Sequence, residues 1–101
     1  MDRRDALKLL KESRDRIDRI DDDIINLIQK RTVLARDIGK AKMALGMEIE
    51  DKEREVHIQK KIKKIAEKKK IDENSLKKII SILTDLNKKE QEAILGSETN
   101  G

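Results

Sequence analysis

The sequence predicts an all-α fold, one very long helix and two shorter helices, assembled as an intertwined helical homodimer. Three observations carry that expectation. Apolar residues recur in steps of three and four along almost the whole chain, the spacing of a helix face. There is no Pro, where average usage would supply roughly five in a chain this long. Residues that favour turns and helix ends are concentrated at a few places, chiefly Gly46, Asp51 and Asp72.

The first segment runs from about Arg4 to Leu45. Its stripe is Leu10, Ile17, Ile20, Ile24, Leu27, Ile28, Leu34, Ile38, Ala41 and Leu45, and it continues past Gly39. Gly46 stands where a helix C-terminal glycine belongs. The second helix starts near Asp51, a fair N-cap, and carries Glu55, Ile58, Ile62, Ile65 and Ala66 before fading into Lys68, Lys69 and Lys70. The third starts at Asp72, another N-cap candidate, with Leu76, Ile79, Ile80, Leu83, Leu86 and Ile94 on its face. Residues 1–95 form the helical domain, and 96–101, GSETNG, read as a disordered tail. A first helix of about 60 Å has more stripe than two short helices cover. A second copy of the chain is the simplest remedy, and heptad-like spacing in the first helix supports it.

Composition narrows the chemistry. With 46% charged and 36% hydrophobic residues, the chain suits long helices with narrow apolar faces. Phe, Tyr, Trp and Cys are absent together with Pro, the mark of a strongly biased or reduced alphabet. The core is therefore aliphatic, bases have no ring to stack on, and there is neither a disulfide nor a thiolate metal site. His57 is the only His and has no ligand-spaced partner, so zinc is not expected. No Gly-rich phosphate loop and no nucleophile pairing occur, and no cofactor is expected. The stretch KKIKKIAEKKK reads as a solvated face around Ile62 and Ile65. The net charge of +4 fits attraction of an anionic metabolite and also weak nucleic-acid affinity; no nucleic-acid partner is expected. The N-terminus lacks a signal-peptide apolar region and no run nears the roughly 20 residues of a membrane span, so a soluble cytoplasmic protein is expected.

The informative residues are polar ones in register with the apolar stripe: Arg14, Arg31, Lys42, Glu55, Asn87 and Gln91. An unpaired charge on a buried face is costly. Each cation read alone is a side chain snorkelling from the stripe edge, or an i,i+4 ion pair such as Arg14 with Asp18. Glu55 alone is dipole support near a helix start. Asn87 and Gln91 read equally well as a register-setting polar pair. Taken together, three stripe cations against one Glu point to a pocket for a small, multiply negative ligand.

At these residues the chain resembles the all-helical (AroQ-class) chorismate mutases. The resemblance runs from about Leu10 to Gln91. It is carried by Arg14 with Ile17 and Asp21, by Arg31, by the GKAK stretch Gly39 to Lys42, by Asp51-Lys52-Glu53-Arg54-Glu55, and by Asn87 and Gln91. Each piece is a weak motif; their order and spacing are more specific. The resemblance implies a homodimer with two active sites built from both chains. It implies an isomerase converting chorismate to prephenate, the Claisen rearrangement that opens the branch to Phe and Tyr. Arg14 would enter from the partner chain and hold the carboxylates with Arg31. Lys42 and Gln91 would contact the ether oxygen, Lys42 also reaching a carboxylate. Glu55 and the backbone near Asp51 would bind the ring hydroxyl, Arg54 would close over the substrate, and Asn87 would assist at a carboxylate. Relatives carry more apolar bulk near Thr84 and Lys88; here Lys88 either adds a cation to the pocket or points outward. Two other readings compete: an isochorismate-pyruvate lyase-like enzyme of the same fold, and a noncatalytic helical dimer scaffold.

Overall fold

The computed structural model describes residues 1–96, with residues 97–100 as helical backbone only. It contains three helices, α1 (Arg3–Leu45), α2 (Lys52–Lys69) and α3 (Glu73–Asn100), and no strand among the described residues. Gly96, where the disordered tail was expected to begin, is helical; the rest of that tail lies outside the fully described residues. The chain divides into two compact units, Met1–Lys30 and Arg31–Gly101.

The first unit is the N-terminal part of α1. Asp2 caps it: its carboxylate accepts from the Asp5 amide at 2.8 Å and its carbonyl from the Ala6 amide at 2.9 Å. The sequence reading had the helix begin a residue later, near Arg4. Leu10, Ile17, Ile20, Ile24 and Leu27 of the expected stripe are all exposed, each close to half of its surface.

The second unit combines the end of α1 with α2 and α3. Gly46 has φ +66°, and the chain leaves α1 by two reversed hydrogen bonds, Gly46 N–H to the Met43 carbonyl and Met47 N–H to the Lys42 carbonyl. This is the Schellman ending that a glycine makes easy. Asp51 then caps α2 in an extended conformation, its side chain accepting from the Arg54 amide at 3.0 Å. At the far end of α2 the left-handed residue is Lys70 (φ 55°), with Ile71 N–H returning to the Ala66 carbonyl. Nothing in the run of lysines signals that conformation, which a Cβ makes costly. Asp72 caps α3 by accepting from both the amide and the hydroxyl of Ser75, at 2.9 and 2.7 Å. Those two bonds, the side-chain one first, hold its carboxyl below the usual carboxylate range.

Among the described residues the buried apolar side chains are Ala35, Ile62 and Ala66, and Gln91 is the buried polar one. Ala35 and Gly39 keep the surface of α1 flat where α3 comes near. A Cβ on Gly39 would stand 3.2 Å from the Gln91 Cα, so the missing side chain permits the approach. Arg36 on α1 and Glu90 on α3 pair beside that contact at 2.9 Å. No helix of the described residues is long and apolar enough to cross a membrane.

Candidate active site

The close approach at Gly39 brings Gln91 of α3 within reach of Lys42, one turn further along α1. Lys42 Nζ donates to Gln91 Oε1 at 3.0 Å and to the Ile49 carbonyl at 2.6 Å. The Ile49 carbonyl is supplied by the turn that follows Gly46, so the helix ending also builds the site. A lysine ammonium only donates, so it fixes the Gln91 amide with its oxygen toward Lys42. The other end of that amide, Nε2, can only donate.

These residues open onto a cavity of about 440 Å³. Arg31, Lys42, Asp51, Arg54, Glu55, Asn87 and Gln91 line it, with Leu34, Ala35, Ile38, Ile49 and Ile58 as its apolar walls. Seven of the eight residues expected at the site therefore converge within the second unit. Arg14 is the eighth. It lies in the first unit, exposed, and makes no ion pair with Asp18 among the described residues.

Lys88 also lines the cavity. Its ammonium stands 2.6 Å from Glu55 Oε1. The Glu55 carboxylate, with help from Glu50 and Asp85, holds the Lys88 ammonium above the ordinary lysine value against partial desolvation. Arg31 and Arg54 form no ion pair among the described residues. Asp51 is engaged as a helix cap, and Thr84 ties its hydroxyl to the Ile80 carbonyl at 2.9 Å. The cavity lining thus holds four cationic side chains (Arg31, Lys42, Arg54, Lys88) and two anionic ones (Asp51, Glu55), a net of two positive charges. That is the complement of a dianion.

The fold and this cavity define an all-helical protein with a cation-lined site for a small anion. Comparison with known proteins gives the particular family. The model of chorismate mutase type II matches residues 13–92. A chorismate mutase from Methanocaldococcus jannaschii is 39% identical over 94 residues, covering 93% of this chain and 95% of the relative. No solved structure matches the chain. The chain belongs to the chorismate mutase type II family, a family of isomerases.

Proposed function

We propose that this chain rearranges chorismate to prephenate in the cavity between α1, α2 and α3, by holding the substrate folded and by opposing charge on its ether oxygen. The reaction is unimolecular. It needs no nucleophile and no proton transfer, so what a protein supplies is orientation and electrostatics. The observation that carries the reading is the convergence of Arg31, Lys42, Glu55, Asn87 and Gln91 on one cavity with net positive charge.

Arg31 takes a carboxylate, assisted by Asn87, and Arg54 closes over the ligand from the start of α2. Lys42 and the Nε2 of Gln91 face the ether oxygen as two fixed donors. Because the Gln91 oxygen is already held by Lys42, its donor end costs little to aim when charge develops. Glu55 and the backbone near Asp51 accept from the ring hydroxyl. A modest enzyme lowers the barrier by about 8 kcal/mol. One well-placed donor supplies about 3–4 kcal/mol of that, and orientation of the enolpyruvyl arm supplies the rest.

The active form is a homodimer in which Arg14 of one copy completes the site of the other. What supports this is the exposed stripe on which Arg14 lies, with Ile17, Ile20, Ile24 and Leu27 beyond it. Fully burying such a side chain stabilises by about 1.5–3 kcal/mol, so a half-exposed stripe leaves several kcal/mol for a second chain. The protein acts in the cytoplasm, at the start of the branch toward Phe and Tyr.

Incubation of the purified protein with chorismate, and separately with isochorismate, followed by NMR, tests the reading. Prephenate from chorismate is expected. Pyruvate release from isochorismate would assign a lyase instead, and no turnover of either would leave a noncatalytic helical dimer.

A further inference from the structure

Lys88 is the cavity cation to which the family resemblance gives no task. We propose that Lys88 is a positioning residue for the ring-hydroxyl end of the substrate, gripping one oxygen of Glu55 so that the other is presented to the hydroxyl. The inference rests on the chorismate reading of the cavity.

Glu55 Oε1 is withdrawn from solvent and has no hydrogen-bond partner among the described residues beyond the Lys88 ion pair. Lys88 is on α3 and Glu55 on α2, so the pair joins the two helices at the cavity wall. The same two side chains also line a second cavity of about 610 Å³, together with Glu50 and Asp85. The pair, with Ile58 and Thr84, therefore borders both open spaces, and without it the Glu55 carboxylate would be free to turn.

Where it would turn matters. Arg31, Lys42 and Arg54 share the cavity lining with Glu55. Arg31 and Arg54 form no ion pair among the described residues, and a loose carboxylate within reach of a guanidinium is drawn into a bidentate pair with it. Such a pair would remove the acceptor needed for the substrate hydroxyl. Lys88 prevents this by holding Glu55 in place. Direct recognition of a substrate carboxylate by Lys88 is a poorer use of it. Its ammonium is already engaged at 2.6 Å, and the Glu50 and Asp85 carboxylates that act on it repel an approaching anion.

The test compares the unmodified enzyme and its K88M, K88R and E55Q variants on chorismate and on the deoxy analogue of chorismate that lacks the ring hydroxyl. A charge-assisted hydrogen bond made equally in the ground and transition states is worth about tenfold or more in KM with little effect on kcat. K88M is therefore expected to raise KM for chorismate about tenfold, with kcat within a factor of about three. K88R, which keeps the cation, restores most of the loss. On the deoxy analogue, K88M and the unmodified enzyme turn over alike, and adding K88M to E55Q costs nothing further on chorismate. An equal loss on both substrates would overturn the proposal, because the lysine would then serve the carboxylates or the fold. So would an unchanged KM in K88M alongside active unmodified enzyme. If the unmodified enzyme turns over neither compound, the chorismate reading itself has failed and this role falls with it.

Discussion

Replacing Gln91 by Glu tests the electrostatic part of the mechanism with almost no change in shape. Gln91 is 6% exposed, its oxygen accepts from Lys42 at 3.0 Å, and its backbone packs against Gly39. Glu keeps the size and the acceptor for Lys42. It loses the amide donor, since an ionised carboxylate only accepts, and it cuts the net charge of the cavity lining by one. Losing one fixed donor to a developing oxyanion costs about 2.7–4 kcal/mol, or about 10²–10³ in kcat. The sign of the pH dependence follows. The protonated carboxyl regains an O–H donor, so activity of Q91E rises as pH falls. Burial raises the pKa of the new carboxyl, the Lys42 ammonium lowers it, and both act around an ordinary value of about 4.3. The original enzyme, with an amide at this position, stays flat over the same range. Initial rates of chorismate consumption between about pH 4 and about pH 8 read this directly, with far-UV circular dichroism as the control for helicity. A Q91E variant with the original rate at neutral pH would refute the donor role. So would a helical Q91E variant whose loss is the same at every pH.

Four further outcomes follow from the same contacts. Mixing R14A chains with K42A chains, each inactive alone, restores about a quarter of the sites if every site draws on both chains of a symmetric dimer; activity that does not return on mixing contradicts shared sites. Gly39→Leu forces a side chain against the Gln91 backbone and destabilises by about 1–3 kcal/mol, whereas Gly39→Ala gains helix propensity of about 1 kcal/mol and is nearly neutral in melting while lowering kcat by displacing Gln91. Lys70→Gly relieves the left-handed cap of α2 and stabilises by about 0.5–1 kcal/mol in thermal melts. The Asp72 carboxyl is held below its usual range by Ser75, so its stabilising contribution is present above an unfolded value of about 3.9 and is lost as pH falls through the folded value; D72A should show a weaker acid dependence of melting than the unmodified chain.

The parts of this molecule that were legible in the sequence are those written locally. The Gly46 ending and the Asp51 and Asp72 caps depend on residues within one turn of each other, and each is found where the sequence put it. The convergence of Arg31, Lys42, Glu55, Asn87 and Gln91 was legible for a related reason. A polar residue at helical spacing from Ile and Leu must face what they face, whichever helices later pack together. What escaped is either nonlocal or carried by backbone. The Ile49 carbonyl that receives Lys42 has no signature in side-chain type. The Arg36–Glu90 pair joins residues 54 positions apart, and each alone reads as a solvated charge. Lys70 adopts a glycine-like conformation inside a lysine run that looks featureless.

Lys88 is the instructive case. It flanks Asn87 and lies one turn before Gln91, on the border of the stripe, where spacing permits either direction. Its ammonium pairs with Glu55, a residue on another helix, and Glu55 shares the cavity lining with Arg31 and Arg54, which form no ion pair among the described residues. Helical periodicity therefore identifies which residues reach a site of this kind. Which of them touch the ligand and which restrain one another is settled only by pairing across helices, and that division decides how many of the cavity's cations remain available to a dianion.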